Sequence, residues 1–325
     1  MFSFKRPLMK NRILALICFT ALAAQPVFSQ SVGTTVFEFL RSQYSARGAA
    51  MANNLVAVQG DVNAAAYNPA VLSTVTEPQW TINFTDHLLD FQAGQLGYAF
   101  QKGQLGTIGF GLIYFDYGDF EETDLFGEET GRSFGASEFA LSATISNQLG
   151  PGFDYGVSAK FIYSSLEEYN ASGIALDGGI IFRPSYISDF QVGVSVSNIG
   201  FMLDNYTETE DKLPLMVRLG FAKKLAHLPL MFMASLNDIS QQTGDNLDIL
   251  KRFSVGGEFD VSDAVKFRIG YDNGVNQSIK SLGTRSFSGI SAGLGIAYKR
   301  FRLDYAFANY GELGTQNRIG VTGGL

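Results

Sequence analysis

Any chemistry in this 325-residue chain has to come from two histidines, two acidic clusters and a set of charges spaced through apolar stretches. His87 and His227 fall near strand ends or turns, and neither G-x-S-x-G nor H-E-x-x-H accompanies them. A triad is defined by geometry rather than spacing, so a barrel hydrolase stays open as one class, with structural or solvated histidines the better reading. Asp119, Glu121, Glu122, Asp124, Glu128 and Glu129 crowd one segment; Asp204, Glu208, Glu210 and Asp211 crowd another. A calcium site needs roughly six to eight oxygens, and the D-x-D-x-D spacing is missing. The plain reading is a pair of solvated acidic loops. The functional one is an acidic rim that faces a protein partner or is bridged to lipopolysaccharide by divalent cations. No catalytic residue, metal or cofactor is expected.

The third set is more telling. Lys160, Arg218, Glu258, Lys266, Arg268, Arg302 and Asp304, with Glu138, all take the polar phase of alternating stretches. Phe267 and Ile269 flank Arg268, and Leu303 and Tyr305 flank Asp304. Strand side chains point to opposite faces with period 2, so these charges share one face and apolar groups the other. On a lipid-facing surface each would cost about 2–4 kcal/mol at mid-depth, which puts them inside a barrel. There they hold a plug or line water, or some cations grip the carboxylate of an amphiphile.

The positioning elements are long hairpins. In GASEFALSATISNQLGPGFDYGVSAKFIYS (135–164), Phe139, Leu141, Ala143 and Ile145 alternate with small polar residues, Gly150-Pro151-Gly152 turns the chain, and the second arm repeats the rule. Alternation and turn chemistry predict strands over 78–89, 91–101, 104–118, 135–149, 153–165, 173–183, 189–199, 214–224, 228–239, 249–260, 264–272, 286–298, 300–309 and 315–325. Fourteen is an even number, as a single-chain outer-membrane barrel requires. Connections after even-numbered strands are short and those after odd-numbered ones mostly long, the asymmetry of periplasmic turns and outer loops. The expected fold is therefore all-β, a 14-stranded antiparallel transmembrane β-barrel over 78–325.

Fourteen strands enclose more space than barrel-wall side chains fill, and residues 30–77 do not read as strands, so they are the expected lumenal hatch. Leu55–Val58 is one possible short strand there, Val62–Tyr67 a helical turn, and Asn68-Pro69-Ala70 a turn. Residues 1–29 carry Lys5, Arg6, Lys10 and Arg12 before the apolar run ILALICFTALAA, the pattern of a secretory signal peptide. Its removal takes the only cysteine, Cys18, and leaves 20 Lys+Arg from 24 against 31 Asp+Glu, a net of −11. An acidic exported chain with no basic stripe argues against nucleic acid.

The segments Phe37-Glu-Phe-Leu40, Ser45-Ala-Arg-Gly-Ala-Ala-Met51 and Asn68-Pro-Ala-Val-Leu72 resemble the N-terminal signature of the PorV/PorQ family, within the wider group of FadL-like outer-membrane barrels. Tyr114–Phe120, Tyr169–Gly179, Lys223–His227 and Leu303–Phe307 look closer to PorQ than to PorV. The resemblance implies location in the cell outer membrane, a hatch in which Asn68, Pro69 and Ala70 plug the pore, and association with type IX secretion. The chain would anchor a surface attachment complex, with other surface or secretion-system proteins as partners, through loops 119–134 and 200–213. One departure is the C-terminus, Thr322-Gly-Gly-Leu325, which lacks a final aromatic residue. The rival class is a hatch-gated transporter of fatty acids or other hydrophobic compounds, with a hydrophobic small molecule in the lumen. It predicts an apolar pocket with a few cations and a kink or lateral gap in one strand; 106–111 and 291–295 are glycine-rich enough for such a kink. Arg47 would pair with a lumenal carboxylate such as Asp304.

Overall fold

The computed structural model describes residues 35–124, 126–207, 211–240, 246–280 and 287–325; the predicted signal peptide lies outside them. Fourteen strands form: β1 (Gln79–Asp86), β2 (Gln92–Gln101), β3 (Thr107–Thr123), β4 (Glu129–Gly150), β5 (Phe153–Leu166), β6 (Tyr169–Phe182), β7 (Phe190–Asp204), β8 (Met216–Lys224), β9 (Leu230–Leu236), β10 (Phe253–Asp260), β11 (Val265–Asp272), β12 (Ile290–Tyr298), β13 (Phe301–Asn309) and β14 (Thr315–Gly324). Each pairs with the next, and β1 pairs antiparallel with β14, closing the barrel. Closure satisfies every ladder without a free edge, which lets strands cross hydrocarbon.

The alternation read from sequence is the alternation of the wall. On β1, Thr81, Asn83 and Thr85 are buried inward while Ile82 and Phe84 are exposed outward. On β13, Asp304 and Ala306 point in, and Leu303, Tyr305 and Phe307 point out. Apolar outside and polar inside is the pattern of a barrel bathed in lipid. No helix among the described residues is long and apolar enough to cross a membrane.

Two outer segments differ from expectation. Asp119, Glu121 and Glu122 belong to β3 and Glu129 to β4, so 119–134 is mostly a strand hairpin closed by a short turn at Asp124–Glu128. The pairing continues because Phe120 stacks on Phe134 at 5.5 Å across the ladder and Arg132 bridges Glu122. Likewise β7 runs on to Asp204, whose carboxylate accepts from Ser172 Oγ at 2.7 Å, and Asp211 lies beyond it. Glu208 and Glu210 lie outside the described residues.

Residues 35–77 fill the lumen. Helix α1 (Ala46–Ala50) is capped by Ser45 Oγ, which accepts from Gly48 N. Single helical turns follow at Val62–Ala66 and Pro69–Thr74, capped by Asp61 and Asn68. Leu55–Val58 forms turns rather than the expected strand, because the wall strands around it already pair with one another. Its side chains instead make the core with Met51, Tyr67 and Val71, against Ile181, Ala222 and Met233 of the wall.

Candidate functional site

The hatch is fastened to the wall by a closed ring of six charges. Arg47 of α1 reaches Asp61 at 2.6 Å within the hatch and takes Glu258 on β10 in a two-pronged grip at 2.8 and 2.9 Å. Glu258 also accepts from Arg268 Nε at 2.6 Å; Arg268 reaches Asp304 at 2.7 Å. Asp304 accepts from Arg302 Nε at 2.7 Å, and Arg302 returns to Asp61 at 2.8 Å. Three cations meet three anions, with Lys266 flanking at Asp260. Burial opposes charge on Arg47, yet Glu258 and Asp61 raise its pKa; burial would raise that of Asp61, yet Arg302 and Arg47 hold it well below the usual range. The expected partner of Arg47, Asp304, is taken instead by Arg268 and Arg302.

Asn68-Pro69-Ala70 is more than a turn. Asn68 Oδ1 caps the helical turn by accepting from Ala70 N at 3.0 Å, and its Nδ2 donates to Val56 O at 2.8 Å and to Ile180 O of β6 at 3.1 Å. Side chains at Gly179 or Gly156 would collide with Asn68 and Pro69, so these wall glycines let the tripeptide lie directly on β5 and β6.

Lys160 and Arg218 stand apart from the ring, beside a break in the wall. The β6–β7 register shifts between Leu176 and Gly178, so Asp177 faces two residues, Ser197 and Asn198. Asn198 takes left-handed φ of 64°, its N–H donates to Asp177 Oδ1 at 2.9 Å, and Lys160 ties the bulge together at 2.7 Å to Asp177 and 2.9 Å to Asn198. Arg218 is buried, with only Ser197 Oγ at 3.4 Å and Met216 Sδ at 3.2 Å, and no carboxylate within reach among the described residues. The glycine-rich candidates for a kink do not provide one: β2–β3 pairs without a break from Gln92 to Gln101, and β11–β12 from Tyr271 to Val265. A cavity of about 60 Å³ adjoins the bulge, lined by Leu40, Leu72, Ile113, Ala140, Lys160 and Asp177 among others.

His87 stands at the outer end of β1, where its ring meets Phe115 at 5.1 Å. Burial and the nearby Arg318 pull its pKa down to about 4. His227 sits in the β8–β9 turn, far from any nucleophile arrangement. Sequence reading passed over Asp61 and Arg318. The D-x-N at Asp61 signals a cap, which Asp61 supplies to Asn63 N at 2.9 Å, but says nothing of its two arginines. Arg318 was visible in principle, since it occupies the polar phase of β14 between Gln316 and Gly320.

A scan against protein-family models finds no match, and a search of curated proteins finds none. Solved structures do match. The Ralstonia pickettii toluene transporter TbuX aligns with TM-score 0.58 at 12% identity over 87% of this chain and 98% of its own. The P. putida toluene transporter TodX gives 0.59 at 13% identity over 88% and 99%, and a Pseudomonas aeruginosa FadL homologue 0.54 at 11% over 86% and 98%. At such identities the likeness is one of fold: this chain is built like FadL-type barrels, closed by fourteen strands around an N-terminal hatch.

Proposed function

We propose that this chain is an outer-membrane, hatch-gated conduit for small hydrophobic compounds. The observation that carries the reading is the wall bulge at Asp177–Asn198, with the uncommitted Arg218 against Ser197 on one side and, on the other, a cavity lined by apolar groups such as Leu40, Leu72 and Ile113 together with Lys160 and Asp177. Bulges in barrel walls re-aim side chains and interrupt pairing at working sites. The solved barrels of like fold include transporters of toluene, which supports the same chemistry here. The cavity is well below the roughly 150 Å³ that holds one benzene, so passage requires part of the hatch to move. At the periplasmic mouth a recess of about 700 Å³, bordered by Gln59 of the hatch and residues of the β6–β7 turn, receives what passes.

A lock tests this directly. An ideal Cβ at Gly320 lies 3.3 Å from Ala46 Cβ, near disulfide range, but collides with Asn83 Oδ1, whose side chain has to swing aside for the bridge to close; residues 35–325 contain no cysteine. Proteoliposomes carrying A46C/G320C are expected to lose uptake of ethylbenzene when oxidised and to regain it on reduction. Uptake that ignores the lock would refute hatch gating, and wild-type protein that never transports would refute the conduit.

The second reading, a PorQ-like anchor for a secretion or attachment complex, is favoured by one feature. Strands β3 and β4 run 17 and 22 residues. A bilayer crossing needs about 9–11, so the hairpin stands well clear of the lipid with Phe126 at its exposed tip.

A further inference from the structure

The outer half of the lumen is an aromatic chamber with one buried acid in its wall. Phe91, Phe115 and Tyr117 line it with ring spacings of 5.2 Å (Phe91–Tyr117) and 4.5 Å (Phe115–Tyr117), and Tyr44 closes on Phe115 at 6.3 Å. Glu138, on β4 directly across from Phe115, is 7% exposed and points into this chamber. Its Oε2 accepts from Tyr117 OH at 2.6 Å, and beside it Tyr206 OH donates to Ser164 Oγ. Among the described residues no lysine, arginine or histidine nitrogen comes within 4 Å of it, whereas Asp61, Asp154, Asp177, Glu258 and Asp304 each have such a partner. A buried carboxylate without a cation is expensive, so it either takes up a proton or meets a charge brought from outside.

The chamber is now filled from within. Phe37, Phe39 and Leu40 pack into it, with Phe37 held in left-handed backbone at φ 58°. That conformation is disfavoured for a bulky residue. The segment is tied to the barrel at its ends, by Val36 N to Lys212 O at 3.0 Å and by Arg41 to Asp238 at 2.7 Å, and in its apolar middle to the hatch itself, where Tyr44 OH donates to Phe39 O at 2.7 Å. Leu40, Ile113 and Ala140 line both this chamber and the cavity by the bulge, so the two spaces adjoin.

Resting on the conduit reading, the geometry points to a chamber that takes hydrophobic compounds bearing an ammonium group, with Glu138 as the counter-charge and the rings of Tyr44, Phe115 and Tyr117 as its cage. Ring faces attract ammonium ions, and a carboxylate among them selects a cation over a neutral compound. The ligand displaces Phe37 and Phe39, which hold the place of its apolar body. The competing charge is Arg318, beyond Tyr44 on β14, with its Nε unpaired; it would select an anionic head instead.

Three ligands that share a phenylethyl body decide between them: 2-phenylethylamine, ethylbenzene and 3-phenylpropionate, each titrated by calorimetry against the purified full barrel in detergent. The amine is expected to bind at least tenfold tighter than ethylbenzene, and this ratio is expected to fall to about one in Glu138→Gln. The wild-type comparison alone is decisive if that variant does not fold. Equal binding of amine and ethylbenzene would overturn the inference and leave the conduit standing. So would preference for the propionate, most plainly if Arg318→Gln abolishes it. Binding of none of the three would overturn the conduit reading as well.

Discussion

Arg47 shows what a single side chain decides here. Among the described residues it is the one hatch side chain ion-paired with Glu258, and it shares Asp61 with Arg302. Breaking an isolated buried charge pair costs about 3–5 kcal/mol. The cost is smaller here, because Glu258 keeps Arg268 and Asp61 keeps Arg302, and what is left is a ring of two cations and three anions with one hatch-to-wall tie fewer. Arg47→Ala should therefore loosen the hatch, seen as frequent conductance spikes in planar bilayers where wild type is quiet. Arg47→Ala/Glu258→Gln should be quieter than the single variant, since it restores a balance of two cations and two anions in the ring. His87 gives a pH effect with a definite sign. Its pKa is near 4 when packed against Phe115 and near 6.5 when released, so the released state takes up the proton first. The packing of residues 87–91 should weaken as pH falls from 6.5 toward 4, read as faster amide exchange there after correction for intrinsic rates, and His87→Phe should remove the dependence. The inward phase of these charges was legible from period-2 alternation. Which arginine meets which acid was not, because pairing depends on where α1 stops and on strands some 200 residues away, as with Arg47 and Glu258.

The β6–β7 bulge acts as an element. Asn198 tolerates left-handed backbone better than other non-glycine residues, and its amide also holds Lys160 and Pro214 O. Asn198→Val should abolish the bulge or strain it, reducing hydrocarbon uptake, while Asn198→Gly keeps the backbone and should retain more of it; uptake in proteoliposomes compares the two. Glycine density pointed elsewhere, to 106–111 and 291–295, and those ladders are unbroken. A bulge made by an asparagine and an aspartate on the neighbouring strand leaves only a weak mark in either strand alone. The outer hairpin is a separable element. Replacing 118–134 by a short Gly-Ser turn should leave uptake intact, and co-purification of surface proteins from native membranes should fall only if the anchoring reading holds. Its extent was under-read because acidic residues resemble loop, while the Phe120–Phe134 stack that extends the ladder lies across strands.

For the whole molecule, the strand count and the short-long rhythm of its connections were readable because each strand carries its own alternation. The closure of β1 on β14 follows once the number is right. The same closure predicts that the folded barrel resists SDS without heating and migrates faster than the boiled chain on a gel; Arg47→Ala should keep this shift, since it changes the plug and not the wall.

The six-charge ring also has an electrical consequence. The hatch contributes one charge of each sign, Arg47 and Asp61, and the wall contributes two of each, Arg268 and Arg302 with Glu258 and Asp304. Moving one net charge through a membrane field is worth about 2.3 kcal/mol per 100 mV, but withdrawing this pair together moves none. The latch can thus open and close without doing electrical work, and a potential across the membrane has no handle on it.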